Sequence, residues 1–506
     1  MRAVTALDAY RWPPSTGEIA RAHGLDPRDV LRFDGNVAPA PPASARPAAL
    51  ARALADVNEY DRGRYEDLRR AIARRHGVDL DQVAIGAGSD EFIVLLARLF
   101  AEGGTVATVP AVSYSMYPYA ALMAGATMVD DPASADLVFV CRPNNPTGEM
   151  CDVPDVAGRV VIDEAYADYA GVDALEHVGA GAVVLRTFSK AYGLAGARVG
   201  YAIADAELVA AITSRQAPLS VSSLSAALAL AALASPPDVT AQIAQRERLT
   251  RDLRDVGLEP LESFANFLFV PMTNAASYVE RMLPYGIVLR AYEGGLRVSV
   301  RDELDNDALV AALRAELLGE ELGAPYLRRR RATAETSLNV RLRVPGEARV
   351  LVSTGEGFYD HMLTQLAFHA GFDLRVEGVG DLETGEHHTV EDVMRTVGAA
   401  LDDALGDRRG LVRYGEARVP MDEALAHAVV DLSGRPTAVI DVNPDPGMAA
   451  HAFESLAQSA RITLHVTAHG ANAHHVAEGA FKAVGRALAV ATARDGSLVR
   501  STKGSL

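Results

Sequence analysis

At 506 residues the chain is too long for a single hydrophobic core, and its 49% apolar and 23% charged content is that of a folded globular protein, which excludes a disordered or fibrous one. A formal charge of −17 opposes binding to nucleic acid or to an anionic membrane, because phosphate contacts need clustered Lys and Arg. Two cysteines, Cys141 and Cys151, no basic-then-apolar leader and no apolar run of the ~18 residues that a membrane helix needs point to a reduced, cytoplasmic compartment.

From about Val83 to Tyr201, short β-branched runs (Thr105 to Val109, Leu137 to Val140, Val160 to Ile162, Val183 to Leu185) alternate with Ala/Leu-rich stretches, the pattern of a parallel sheet covered by helices. Residues 202–255 read as helical. Runs at Phe267 to Val270, Ile287 to Arg290 and Leu296 to Val300, with a helix ending near Leu318, then suggest a smaller α+β domain. The stretch 319–331, with its basic run Arg328 to Arg331, reads as a solvated linker. Beyond it the pattern restarts and is duplicated: Glu386-His387-His388-Thr389-Val390-Glu391 recurs as Ala473-His474-His475-Val476-Ala477-Glu478. Upstream, Gln365-Leu366-Ala367 before Phe372 to Val376 is echoed by Ser455-Leu456-Ala457 before Ile462 to Val466. Two copies of one helix-strand-loop-helix unit make up this second domain.

Four features in the first part belong together. The stretch Arg186-Thr187-Phe188-Ser189-Lys190 leaves a buried strand at its carboxyl end, where α/β folds place ligands. Pro143-Asn144-Asn145-Pro146-Thr147-Gly148 and Asp163-Glu164-Ala165-Tyr166 follow two other strands. A carboxylate at such a strand end needs a partner, and beside a Schiff-base lysine that partner is a protonated pyridine nitrogen. Gly86-Ala87-Gly88-Ser89-Asp90-Glu91 opens a helix whose free N–H groups suit a phosphate.

In this order the features resemble the fold-type I aminotransferases, within them the histidinol-phosphate aminotransferase group, from about Arg32 to Leu318. The resemblance implies an α/β fold with a large domain at about 35–255 and a small one at about 1–34 and 256–318, the whole spanning 1–320. It implies pyridoxal 5'-phosphate on Lys190, which also shuttles the proton, with Asp163 at the pyridine nitrogen. Asn145 and Tyr166 would hold the phenolic oxygen, Tyr114 would stack on the ring, and Ser89, Asp90, Thr187, Ser189 and Arg198 would surround the phosphate. Tyr60 would reach that phosphate from a partner subunit, so a dimer is implied. Arg297 resembles the arginine that clamps the amino donor's carboxylate, a task suited to a planar guanidinium. Arg290 looks like a contact to substrate phosphate, and can also be read as a surface arginine. The stretches Phe33-Asp34-Gly35-Asn36-Val37 and Ala217-Pro218-Leu219-Ser220-Val221-Ser222 depart from the family pattern, both expected on the substrate side. They leave another amino acceptor, such as an aromatic 2-oxo acid, as an alternative.

Most of the 13 histidines fall in the second domain. Positions i and i+4 share a helix face, so His387 with Glu391, and His474 with Glu478, can each offer a nitrogen and an oxygen to one ion. Adjacent histidines diverge by roughly 100° on a helix and should serve different metals. Imidazole and carboxylate without thiolate suit Mn, Fe or Zn, and His361 and His465 complete the candidate ligands. With Arg331-x-Thr333-x-Glu335-Thr336, Asp431-Leu432-Ser433-Gly434-Arg435-Pro436 and Ser501-Thr502-Lys503-Gly504, these residues resemble imidazoleglycerol-phosphate dehydratase over 332–506.

That resemblance implies an α+β fold of duplicated repeats and two manganese ions. One ion would take His361, His388, His475 and Glu478, the other His387, Glu391, His465 and His474, a partition left open. Sites would form between subunits of a trimer-based assembly of 24. Glu335 looks like the acid/base residue, and Arg413, Arg435, Ser501 and Lys503 like the substrate-phosphate cradle; Ser501 and Lys503 can also be read as a frayed terminus. The two resemblances name consecutive steps of histidine biosynthesis: dehydration of imidazole glycerol phosphate, then transamination of imidazole acetol phosphate with glutamate. In the alternative without dehydratase chemistry, the second domain is a metal-stabilised assembly hub.

Overall fold

Seven short runs of the first part pair into one sheet in the computed structural model, which describes residues 13–38, 42, 44, 45, 47–61, 63, 65–322, 326–496 and 498. The chain divides into two units, Met1–Leu322 and Gly323–Leu506. In the first, strands β1 (Val83–Gly86), β2 (Thr105–Val109), β3 (Thr127–Met128), β4 (Leu137–Cys141), β5 (Arg159–Asp163), β6 (Val183–Thr187) and β7 (Gly200–Ile203) lie in the order β1-β7-β6-β5-β4-β2-β3. Strands β4 and β6 are buried along their whole length, between two apolar clusters, which is why they read as continuous apolar runs. Strand β7 departs from the expected parallel pattern and runs antiparallel to both neighbours. The connection from β6 to β7 holds only a short 3₁₀ turn, Ala195–Ala197, in place of a crossover helix, so the chain returns beside the strand it left.

Helix α1 (Ser89–Phe100) starts at Gly88, whose φ is 79°. A side chain at Gly88 would meet the Arg198 guanidinium at 2.7 Å, and one at Gly200 would meet the Gly88 backbone at 2.6 Å, so both glycines permit a close approach of this turn to β7. The run expected as one strand at Ile287 to Arg290 is split. Ile287–Val288 pairs with Leu31–Arg32, while Arg290–Tyr292 joins an antiparallel sheet. That sheet orders β8 (Phe267–Pro271), β9 (Arg290–Tyr292) and β10 (Gly295–Ser299) as β9-β10-β8. Helix α2 (Glu303–Leu318) follows, its first turn capped by Asp302.

The second unit contains the duplication. Strands β11 (Leu327–Ala332), β12 (Thr336–Arg343) and β13 (Val350–Ser353), helix α3 (Gly357–Ala370), strand β14 (Asp373–Gly380) and helix α4 (His387–Leu405) form the first copy. Strands β15 (Tyr414–Met421), β16 (Ala424–Asp431) and β17 (Thr437–Asn443), helix α5 (Ala449–Ala460), strand β18 (Thr463–His469) and helix α6 (Ala473–Thr492) form the second. The sheets have the same topology, β11-β12-β14-β13 and β15-β16-β18-β17. The helices pair across copies, α3 with α6 and α5 with α4. Equivalent glycines allow this, since a Cβ on Gly485 would lie 2.3 Å from the Leu366 carbonyl and one on Gly398 2.7 Å from that of Leu456.

The linker expected over 319–331 is therefore too long. Its basic run is edge strand β11, with Arg329 and Arg331 paired to Asp403 and Asp392 of α4. Charged side chains on an edge strand also discourage pairing with other chains. Among the described residues, no helix is long and apolar enough to cross a membrane.

Candidate active sites

The carboxyl ends of β4, β5 and β6 open into a cavity of about 490 Å³. Ser89, Asp90, Tyr114, Asn145, Asp163, Tyr166, Thr187, Ser189, Lys190, Arg198, Arg290 and Arg297 all line it. Tyr60 does not, and its side chain is 78% exposed in the single chain. Of the two departing stretches, Asp34 to Val37 lines this cavity, but Ala217 to Ser220 lines a separate hollow along β1. Gln216 there caps the Ile85 carbonyl at 2.7 Å, and Ser220 donates to Glu91 at 2.9 Å, which corrects the expected place on the substrate side.

Asp163 ends β5 with both oxygens occupied: Tyr117 donates its hydroxyl to one at 2.9 Å, and the Ala165 N–H donates to the other at 3.1 Å. Burial raises its pKa to about 6, against the Tyr117 hydrogen bond, which lowers it. Burial lowers the Lys190 pKa to about 8, with the nearby Arg297 acting in the same direction, which makes the neutral amine easier to reach than on a surface lysine. Tyr114 donates to Asp90 at 3.1 Å, and Arg198 binds the other Asp90 oxygen at 3.0 Å. Arg297 is buried, donating to Asn145 at 2.6 Å, to the Tyr292 hydroxyl at 2.8 Å and to the Asp34 carbonyl at 2.6 Å. Asn36 donates to the Tyr166 hydroxyl at 3.2 Å. The sequence reading assigns no role to Tyr117, Asn36 or Tyr292: the first two make contacts to residues distant in the chain, and Tyr292 meets Arg297 across the β9–β10 hairpin, a pairing set by strand register.

In the second unit the helix pairs bring together two clusters, His361–His474–Glu478 and His387–Glu391–His451. In the first, His474 Nε2 and His361 Nε2 lie 3.3 and 3.8 Å from Glu478 Oε2. In the second, His387 Nε2 and His451 Nε2 lie 3.5 and 3.7 Å from Glu391 Oε2. Each cluster takes one histidine from the first helix of one copy and a His–Glu pair from the second helix of the other. The remaining oxygen of Glu478 meets Lys482 at 2.7 Å, and that of Glu391 meets Arg395 at 2.6 Å.

This corrects the expected partition, because His474 falls with His361 and Glu478 instead of with His387. His465 stands apart on β18, where Leu464 and Val466 point into the core and alternation turns His465 outward. His451 was missed, although the duplication carried the signal: it holds the same place before Ser455-Leu456-Ala457 that His361 holds before Gln365-Leu366-Ala367. His388 and His475 belong to neither cluster. Glu335 lies exposed in the β11–β12 turn, 3.7 Å from His388 Nε2. Arg413, just before β15, pairs with Asp431 at the end of β16 at 2.7 Å, and Arg435 is exposed in the loop between β16 and β17. Ser501 and Lys503 lie outside the described residues.

Comparison with known proteins follows the same division. The family model of class I and II aminotransferases matches residues 29–134 and 127–313, and that of imidazoleglycerol-phosphate dehydratase matches residues 354–488. Over 195 residues the chain is 50% identical to the imidazoleglycerol-phosphate dehydratase of Salinispora arenicola, covering 35% of this chain and 96% of that protein. The Gluconobacter oxydans dehydratase is 47% identical over 193 residues, with 36% and 98% covered. Histidinol-phosphate aminotransferase from Sinorhizobium meliloti, solved in complex with pyridoxal-5'-phosphate, aligns with a TM-score of 0.54 at 27% identity, covering 62% of this chain and 99% of that one. An aminotransferase from Mycobacterium tuberculosis has a TM-score of 0.53 at 21% identity with the same coverage, a likeness of fold alone.

Fold and sites together define a bifunctional enzyme, a transaminase joined to a carbon–oxygen lyase. The chain belongs to the class I and II aminotransferases in its first unit and to the imidazoleglycerol-phosphate dehydratases in its second.

Proposed function

We propose that this one chain dehydrates imidazole glycerol phosphate to imidazole acetol phosphate and transaminates that product with glutamate to histidinol phosphate. The observation that carries the reading is the presence, on one polypeptide, of the Lys190–Asp163 cavity rimmed by Arg290 and Arg297 and of two cross-repeat histidine–carboxylate clusters. The phosphorylated amino acceptor is an anion that Arg290 suits, and the compartment we propose is the cytoplasm, where Cys141 and Cys151 stay free thiols.

The residues of the cavity fit pyridoxal 5'-phosphate: a buried carboxylate with a raised pKa calls for a cationic partner, and a lysine of lowered pKa stands beside it. When bound, this cofactor supplies an electron sink for the carbon that loses its proton. Asp163 would face its ring nitrogen and Tyr114 its ring, with Asn145 and Tyr166 at the phenolic oxygen. Ser89, Asp90, Thr187, Ser189 and Arg198 would surround its phosphate, and Tyr60 would come from a second subunit. Lys190 then moves the proton, and Arg297, already oriented by Asn145 and Tyr292, receives the donor's carboxylate in a paired geometry. Arg290 is assigned to the substrate's phosphate.

The clusters fit divalent transition metals, manganese being our assignment. His451 Nε2 is buried without a hydrogen-bond partner and faces Glu391, as a nitrogen awaiting an ion would. Bound metals would put positive charge next to an imidazole ring's nitrogens. His388 and His475 would complete ligand sets with neighbouring subunits in a trimer-based assembly of 24. Glu335 would move the proton, and Arg413 and Arg435, with Ser501 and Lys503, would hold the phosphate.

Steady-state rates of the purified protein separate the readings of the first unit. We expect imidazole acetol phosphate to exceed aromatic 2-oxo acids in kcat/KM; the reverse order removes histidine biosynthesis from that unit. Detectable dehydratase turnover excludes a hub without chemistry, and its absence in metal-replete protein would count against the dehydratase.

A further inference from the structure

We infer that Asp381 and Glu423 are positioning residues that aim His388 and His475 at metal ions; the inference rests on the ligand role proposed above for those two histidines. His388 Nδ1 lies 3.0 Å from Asp381 Oδ2, and His475 Nδ1 lies 2.8 Å from Glu423 Oε2. In each case the carboxylate occupies Nδ1 and leaves Nε2 as the atom turned away from it. A histidine whose Nδ1–H is donated to a carboxylate is held in the tautomer with a free Nε2 lone pair, the form a metal takes up.

The two carboxylates do not descend from one ancestral position. His388 and His475 are equivalent in the duplication, but Asp381 comes from the turn after β14, and Glu423 from the hairpin between β15 and β16. In the first copy the corresponding hairpin residue is Glu335, which instead lies 3.7 Å from His388 Nε2. The same hydrogen bond to the same nitrogen has thus been built twice from unrelated elements. A residue kept only to close a turn would not be expected to converge on that atom.

Each carboxylate is itself held. Asp381 accepts from the Thr384 hydroxyl at 2.9 Å, and its backbone N–H donates to the Glu335 carbonyl at 3.1 Å. Glu423 accepts from the Asn472 N–H at 2.8 Å, at the start of α6. Both histidines are therefore oriented before any ion arrives, and each doublet divides its work: His387 and His474 face a cluster within the chain, while His388 and His475 face the carboxylates of Asp381 and Glu423.

The test titrates Mn²⁺ alone into metal-free full-length protein, following stoichiometry and affinity by calorimetry and the ion's environment by electron paramagnetic resonance. Asp381→Ala and Glu423→Ala should each weaken binding by about 10–100-fold, with an altered spectrum. Asp381→Asn and Glu423→Gln, whose amide oxygens still accept from Nδ1–H, should recover part of the loss. Thermal melting and absorbance of the cofactor-loaded first unit provide controls for folding. If the alanine variants bind Mn²⁺ as the parent does while His388→Ala and His475→Ala weaken it, the carboxylates only shape their turns and the inference is wrong. If the histidine variants also bind normally, the ligand role itself is wrong, and the inference falls with it.

Discussion

At the scale of single residues, the first site depends on a charge that the fold itself makes costly. Folding raises the Asp163 pKa from 3.8 to about 6, chiefly by burial. A raised pKa means that the favourable contribution is present below the unfolded value and is lost as pH rises through the folded one, by roughly 3 kcal/mol for a shift of about two units. In cofactor-free protein, Asp163→Asn should therefore gain stability over the parent as pH rises from 5 to 7. Urea midpoints of the first unit at the two pH values check this, and a difference that does not grow with pH contradicts it. In the second unit, His451→Ala should remove one of two tightly bound metals per chain, measured by elemental analysis after dialysis, whereas His465→Ala should remove none. That Lys190, Asp163, Asn145 and Arg198 belong to one cavity was legible because each sits in a short stretch that follows or abuts a strand of the same sheet. His451 was not read because His465, at the end of an apolar strand, made the more conspicuous candidate, and only the burial pattern of that strand shows it facing outward.

At the scale of elements, what assembles the second site is the crossing of α3 with α6 and of α5 with α4. Gly485 and Gly398 let those helices approach until a Cβ would touch carbonyl oxygens. Gly485→Ala should therefore cost about 1–3 kcal/mol through overpacking and push His361 away from His474. A lowered Tm together with weaker metal binding is the expected result, and an unchanged Tm would show that the helices have slack. The duplication was legible from doublets and apolar spacing, whereas the pairing of helices between copies was not, since it is a property of packing. Charge hid β11 in the same way. A run of four arginines looks like a solvated linker until Asp392 and Asp403 of α4 are found facing two of them. The direction of β7 escaped because strand composition is the same in parallel and antiparallel neighbours; only the missing crossover helix after β6 decides it.

At the scale of the whole molecule, the two units carry separate cores, and among the described residues the cavity is lined by the first unit and the two histidine–carboxylate clusters are built from the second. On the proposed assignment, the second unit converts its substrate into the acceptor of the first. The most direct test incubates the purified chain with imidazole glycerol phosphate, glutamate, pyridoxal 5'-phosphate and Mn²⁺ and follows the products by mass spectrometry. The parent should form histidinol phosphate, Lys190→Ala should stop at imidazole acetol phosphate, and His361→Ala should leave the starting compound unchanged. Failure of the parent to consume imidazole glycerol phosphate, or histidinol phosphate formed without Lys190, would contradict the assignment of two sequential active sites to this chain.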